Sequence, residues 1–469
     1  MIIQPFINGG SVATKQTIVL VNPATEEPFC EVGAAEPAEV DQAVRGANRA
    51  FENGWRDMAP GKRAGILFAI AAILRQHAEE LAQLEMRNVG KPIADARDEI
   101  GLGARVFEYY AGAIGKFFGQ TIPVARGGFD FTLRQPMGVV AAIVPWNFPF
   151  PIACWKTAPA LAAGNCVVLK PATLSPLTAL RLGELAHEAG LPAGVLQVLP
   201  GTGGLIGDAL VQHPLVRKVS FTGSTAIGVR IMQLAAPGLK RISLELGGKS
   251  PNIVFADADL DAAAASSPMS VFANAGQDCC ARSRVFVERS LFDQFVDRFL
   301  SATRGLIVGD PALDHTQIGP LVSAGQRENS ERFLNQSGRR IALGGERPNG
   351  RGYFLNPAVV LDVEPSDPIW REEVFGPVVC IRPFDNEAAL LDEVNDSPYG
   401  LSGSIWTNDL KRALRLARRV ESGVLSINSH SSVHVEAPFG GFKQSGLGRD
   451  LGFAAMEGYT ELKNVYISE

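Results

Sequence analysis

Short apolar runs alternate along the chain with longer stretches of helical spacing. Residues 139–144, 166–169 and 195–199 are apolar over a strand's length, and 218–221 alternates polar and apolar side chains. All four read as strands of a buried sheet, with helices at 179–189 and 205–213 between them. That β-α-β-α order predicts a parallel sheet with crossover helices. A second series, with strands at 252–255, 284–287, 358–361 and 378–381 and a helix at 291–306, predicts another α/β unit. The longest apolar run, 64–74, is about half a bilayer span and is flanked by Lys62, Arg63 and Arg75. Leu67, Ile70, Leu74 and Leu81 recur at the spacing of one helix face, which predicts a helix packed on the core. The chain shows no internal repeat, heptad series or low-complexity tract.

Composition narrows the class. At roughly 150 residues per domain, 469 residues predict two or three domains. The net charge is −5, with lysines and arginines scattered, so nothing marks an electrostatic footprint for nucleic acid or an anionic membrane. Six cysteines are too sparse for a disulfide scaffold. The first residues lack the basic-then-apolar pattern of a secretion signal. Together these predict a cytoplasmic enzyme. The pair Gly247-Gly248 suits a boundary between the two α/β units, because paired glycines admit an abrupt change of direction.

Three segments carry candidate chemistry. Cys279 sits among small and polar residues (274–284) with a strand directly after it, unlike Cys166 and Cys380, which lie in apolar runs. A nucleophilic cysteine acts as the thiolate, so its surroundings should favour ionisation. In 241–249, strand alternation sets Ile242, Leu244 and Leu246 on one face and Ser243 and Glu245 on the other. A carboxylate so enclosed has its pKa raised and suits a general base, although a surface-strand glutamate fits the local pattern too. Asn147, between Trp146 and Phe148, follows the strand 139–144, where parallel sheets place their sites. Its amide could donate to an oxyanion, or the segment is an ordinary polar turn. Finally, 222–228 places Gly223 and Ser224 at a helix start, which fits either a phosphate site or a plain helix cap. It is not the G-x-G-x-x-G fingerprint.

Taken together, the segments resemble the aldehyde dehydrogenase superfamily. They stand in the family's order: PWNFP at 145–149, LKPAT at 169–173, FTGSTAIG at 221–228, LELGGKSP at 244–251, GQDC at 276–279, EEVFGPV at 372–378 and PFGGFKQSGLGR at 438–449. The resemblance implies that Cys279 adds to an aldehyde as a thiohemiacetal, that Asn147 and the Cys279 N–H form an oxyanion hole, and that Glu245 activates the water that hydrolyses the thioester. Lys156 matches a supporting lysine, and Cys280 has no required part. For an NAD or NADP cofactor it implies Lys170 on the adenosine ribose, Gly223 and Ser224 at the pyrophosphate, Glu373 on the nicotinamide ribose, and Trp146 and Phe375 beside it. Thr173 stands where NAD-preferring members often carry a glutamate. Its neutral side chain tolerates a 2′-phosphate without demanding one, which leaves NAD slightly favoured. No metal site is implied.

The implied fold is α/β and aldehyde dehydrogenase-like, with a Rossmann-type cofactor domain (1–119 and 138–247), an α/β catalytic domain (248–449) and a small β bridging element (120–137 and 450–469). The bridge implies a homodimer or homotetramer. By position, Phe148, Ile152, Trp155, Asp278, Val433 and Phe439 line a substrate funnel. An acid among aromatic rings suits a cationic amine tail, and the GQDC segment is similar to that of aminoaldehyde dehydrogenases, such as 4-aminobutyraldehyde enzymes. Broad aliphatic, aromatic or semialdehyde oxidation is the alternative. A CoA-acylating member would not need Glu245. A cysteine hydrolase would want a histidine, and the six histidines lie outside every motif, with His430 and His434 nearest the funnel; most read as solvated. A non-catalytic protein would be expected to lose Cys279, Asn147 or Glu245.

Overall fold

The computed structural model describes residues 2–468. The first series of runs builds an eight-stranded sheet in the order Gly446–Leu447, Arg241–Glu245, Val216–Thr222, Val139–Ile143, Cys166–Lys170, Leu196–Val198, Phe6–Ile7, Gly10–Ser11. The five strands from Arg241–Glu245 to Leu196–Val198 are parallel. Val139–Ile143 and Cys166–Lys170 are buried along their whole length, which explains continuous apolar runs in place of alternation. The chain steps outward from Val139–Ile143 to Leu196–Val198, then returns to the opposite side of Val139–Ile143 with Val216–Thr222. That reversal opens a crevice at the carboxyl ends of the two strands, the place where open parallel sheets bind ligands.

The second series forms a seven-stranded sheet, in the order Arg340–Leu343, Ala358–Leu361, Val378–Phe384, Arg284–Glu288, Pro251–Val254, Ser402–Trp406, Val424–Ile427. Only its first strand runs antiparallel to its neighbour. Two apolar clusters, one holding Trp370 and Ile405 and the other Phe295 and Phe299, belong to this sheet. Thr460–Ile467 pairs along all of Phe129–Pro136, and Thr121–Ile122 adds a short third strand. Among the described residues no helix is long and apolar enough to cross a membrane.

Two local expectations change. The face containing Leu67, Ile70, Leu74 and Leu81 is not one helix: Pro60–Gln76 ends at His77, whose ψ of 17° leaves the helical region, and Leu81 lies on Ala78–Val89. All four leucine and isoleucine side chains are nevertheless fully buried. The helix expected at 205–213 opens as a wide turn over Gly203–Gly207 and becomes α-helical only at Asp208–Gln212, because the glycines favour no tight helical start.

Candidate active site

The carboxyl ends of three neighbouring strands deliver the first group of side chains. Val139–Ile143 leads through Pro145-Trp146-Asn147-Phe148 into the helix Pro149–Ala162, and Val216–Thr222 leads through Gly223-Ser224 into Thr225–Ala235. Glu245 ends its strand in register with Thr222. These ends meet the chain around Cys279 and the segment 373–375 in one cavity, lined by Trp146, Asn147, Gly223, Ser224, Glu245, Cys279, Glu373 and Phe375.

The turn that presents Cys279 is held in an unusual backbone state. Asn274, Ala275 and Gly276 all have left-handed φ, at 52°, 55° and 71°, a conformation costly for the first two. Side chains hold it in place. Asn274 Nδ2 donates to the carbonyls of Asn147 (2.9 Å) and Gln277 (3.2 Å). Gln277 Nε2 donates to the Asn274 carbonyl at 3.0 Å, and its Oε1 accepts from Val322 N–H at 2.9 Å. A Cβ on Gly276 would lie 2.1 Å from the Gly376 carbonyl oxygen, so only glycine admits this approach. Gly276→Ala is therefore expected to displace the turn, costing about 1–3 kcal/mol of stability and most of the activity, as read by thermal unfolding and turnover of the same preparation.

Asn147 is buried, and its Nδ2 donates to the Gln277 carbonyl at 3.0 Å. One amide hydrogen remains for a ligand. Its own carbonyl accepts from Asn274 and from Lys91 Nζ at 2.9 Å. Lys91, which the sequence did not flag, is fully buried, pairs with Glu99 at 2.5 Å and lies 4.1 Å from the Phe148 ring centre. Burial pushes the Glu99 carboxyl up to about 8, against the pull of Lys91. Lys91→Met removes the donor to Glu99 and to the Asn147 carbonyl, and we expect a loss of about 1–3 kcal/mol in denaturant unfolding together with weakened turnover.

The ionisable groups around the thiol have shifted pKa values. Burial is the main reason that the Glu245 carboxyl rises to about 8; nearby Lys156 pulls it back in part. Glu245 Oε1 has no hydrogen-bond partner despite full burial. The Cys279 thiol is pushed well above its ordinary value, first by contact with the Cys280 thiol, then by burial, then by Glu245 and Asp278. The protein's groups favour the thiol, so ionising it calls on the neighbouring base that the sequence reading allowed for. Glu245 shares the cavity with that thiol and is the candidate for this base. Lys156 is buried with Asp450 at 2.9 Å and donates to Ser220 Oγ at 3.2 Å. Two backbone hydrogen bonds join Asp450 to Phe439.

A second cavity shares Trp146, Gly223 and Ser224 with the first, and continues past Lys170, Thr173, Gly203, Gly204, Asp208 and Arg230. The groove fits a dinucleotide by several features. Lys170 Nζ is buried and donates only to the Pro171 carbonyl; burial lowers it to about 8. Thr173 Oγ1 donates to the Gly201 carbonyl at 3.1 Å. Ser224 holds the helix N-cap position without its hydroxyl capping the helix, and buried Thr222 Oγ1 has no partner. A Cβ on Gly247 would strike Glu373 Oε2 at 2.2 Å. Glu373 Oε1 accepts from Gly248 N–H at 2.9 Å, and burial raises its carboxyl to about 7. Phe375 has left-handed φ (55°) and meets Trp146 edge to face at 5.3 Å. Its backbone is held by Gln326 Nε2, while Asn329 holds the Val374 carbonyl. Both residues line the cavity and were not legible in the sequence, because they reach it from the distant helix Ala324–Ser337.

Of the funnel residues, Ile152, Trp155 and Phe439 are buried, and the Trp155 and Phe439 rings meet edge to face at 5.5 Å. Phe148 and Val433, partly buried, pack in the same apolar cluster as Cys279. Trp155 Nε1 is buried without a partner. Asp278 is half-buried. One oxygen accepts from Cys280 N–H at 2.8 Å, and ligand atoms of Asp278, Cys279 and Cys280 lie within 4.8 Å of one another. Burial raises the Asp278 carboxyl, against Arg282 and Lys91. Of the six histidines, only His213 is buried, while His77 and His430 are half-buried and the other three exposed. His430 bonds Ser404 Oγ at 2.9 Å, and burial pushes it down to about 3.

Comparison with known proteins agrees with this geometry. The profile of the aldehyde dehydrogenase family matches residues 11–465. The chain is 41% identical to the NADP/NAD-dependent aldehyde dehydrogenase PuuC of Escherichia coli, covering 99% of this chain and 95% of that one. It is also 41% identical to an aldehyde dehydrogenase of Emericella nidulans, over 96% and 92% of the two chains. The NAD+ complex of aldehyde dehydrogenase from Bacillus cereus superposes with a TM-score of 0.98 at 41% identity, over 100% of this chain and 96% of that one.

Proposed function

The chain belongs to the aldehyde dehydrogenase family, an enzyme that oxidises aldehydes with NAD or NADP as acceptor, and we propose that Cys279, Glu245 and Asn147 carry its chemistry. The observation that bears most weight is the convergence of all three on one cavity from separate segments. Cys279 Sγ attacks the aldehyde carbon while its proton passes to Glu245. The Asn147 amide, with the Cys279 N–H, stabilises the oxyanion of the thiohemiacetal. A bound nicotinamide supplies the hydride acceptor that leaves a thioester. Glu245 passes the thiol's proton on to solvent and, a carboxylate again, draws a proton from water, whose oxygen attacks the thioester. The C–S bond breaks, the carboxylic acid leaves, and the Cys279 sulfur takes the proton back from Glu245. Lys156 and Asp450 set the charge around that carboxylate.

A dinucleotide would be held along the groove by Lys170 and Thr173 at its adenosine end, by Gly223 and Ser224 at the pyrophosphate, and by Glu373, Phe375 and Trp146 at the nicotinamide end. We divide the chain into a cofactor domain (1–119, 138–247), a catalytic domain (248–449) and a bridge (120–137, 450–469). The eight-, seven- and three-stranded sheets support this reading, although Gly446–Leu447 pairs into the first sheet. Phe129, Leu133, Leu462, Tyr466 and Ile467 leave apolar surface exposed on the bridge, which supports pairing of subunits there; sedimentation of the intact chain tests it.

For substrate we favour an aminoaldehyde such as 4-aminobutyraldehyde. Support comes from the Asp278 carboxylate beside the nucleophile and the rings of Phe148, Trp155 and Phe439. A panel of aminoaldehyde, aliphatic, aromatic and semialdehyde substrates ranked by kcat/KM tests this reading. Aminoaldehydes should rank first; if they rank last, the apolar walls and not Asp278 choose the substrate.

A further inference from the structure

A buried arginine fastens the turn that carries Cys279. The Ala281 N–H donates to the Asp278 carbonyl at 3.0 Å, which closes a β-turn with Cys279 and Cys280 at its corners. The Asp278 side chain takes the Cys280 N–H, and the Cys280 carbonyl accepts from Arg282 Nη1 at 2.7 Å. The same guanidinium donates from Nη2 to the His430 carbonyl at 3.2 Å and from Nε to Ser404 Oγ at 3.1 Å. Arg282 is 2% exposed, and none of these three partners is a carboxylate. A cation buried in this way is costly to keep unless its N–H groups are bonded. Here those bonds join three separate segments.

His430 lies in the loop that follows the strand Val424–Ile427 and leads to Val433 of the funnel. Its ring is held too, with Nδ1 at 2.9 Å from Ser404 Oγ and Nε2 at 3.4 Å from Ser267 Oγ. Ser267 Oγ donates to the Ala263 carbonyl at 2.6 Å, so toward the imidazole it accepts, which places the ring proton on Nε2. Nδ1 then accepts from the Ser404 hydroxyl, whose oxygen accepts from Arg282. The donors run in one direction from Arg282 through Ser404 and His430 to Ser267.

Resting on the nucleophile and funnel assignments above, we infer that Arg282 is a positioning residue that ties the funnel loop to the nucleophile turn, so that the wall carrying Val433 and the sulfur of Cys279 keep one register. The planar guanidinium sets its two carbonyl partners at a fixed separation, which a lysine ammonium does not. Slack of about 1 Å at the reacting atoms costs up to about 10²-fold in rate.

The test compares Arg282→Lys and Arg282→Met with the wild type as intact chains, normalised to folded protein. Hydrogen exchange should quicken by about tenfold or more in both 278–283 and 428–434, and stay unchanged in 222–228. For straight-chain aldehydes from propanal to octanal, kcat/KM should fall about 10- to 100-fold in Arg282→Met, with KM raised and the spread across chain lengths narrowed. Arg282→Lys should fall between, and NAD and NADP should bind as they do to the wild type. If Arg282→Met does not fold, Arg282→Lys decides alone. A uniform drop in kcat with wild-type KM values and chain-length profile, or quickened exchange in only one of the two segments, overturns the inference. So does a loss confined to carboxylate-bearing semialdehydes, which would make Arg282 a substrate contact. Full oxidation by Cys279→Ala would instead remove the nucleophile reading, and this inference with it.

Discussion

Cys279→Ala should abolish aldehyde oxidation, by about 10⁴-fold or more in kcat, while NAD and NADP still bind. The thiol is the strongest nucleophile among the described groups lining the cavity, whereas the groove past Lys170 and Ser224 does not depend on it. Cys280 provides the control. It is buried, with its backbone N–H bonded to Asp278, and Cys280→Ala should keep turnover within about tenfold of the wild type. Steady-state turnover, calorimetric cofactor binding and mass spectrometry of the acylated chain decide the matter. Full oxidation by the Cys279 variant would remove the nucleophile assignment.

Glu245→Gln should separate the two half-reactions. The first equivalents of reduced cofactor should appear in a burst, followed by a stall about 10²- to 10⁴-fold slower than wild-type turnover, with the acyl group retained on Cys279. The sign of the pH dependence follows from the raised carboxyl. A base must be deprotonated, and burial holds Glu245 near pH 8. Wild-type hydrolysis should therefore climb through that region, and the glutamine variant should lose that limb. Stability should move in the opposite sense. The folded chain retains a proton that the unfolded chain releases above about 4.5, so the wild type loses stability as pH rises from there toward 8. Glu245→Gln lacks that loss, and its advantage in thermal unfolding should widen over the same window. Smooth turnover at the wild-type rate would end the base assignment.

How much was legible in the sequence depends on how local the cause is. The strands at Val139–Ile143, Cys166–Lys170 and Arg284–Glu288 could be read because burial on both faces demands continuous apolar runs. Glu245 could be read because strand alternation fixes which side it faces. The break at His77 was not legible, since the apolar spacing continues across it. Asn274, Gln277, Gln326 and Lys91 escaped for a related reason: each acts by bonding a backbone group whose position depends on the fold.

By itself, then, the sequence determined the family and the α/β class, and it singled out the residues proposed as nucleophile, base and amide, since motif order and residue type suffice for that much. The tertiary structure decided the state of those groups. Enclosure raises Glu245 to about 8, because desolvation and through-space charge depend on neighbours far apart in the chain. The Cys279 thiol is raised first by its sequence neighbour Cys280 and then by that enclosure. The fold also brought Arg282 to the carbonyls of both Cys280 and His430. A side chain that ties two loops so distant in the chain is revealed only when the fold has closed the distance between them.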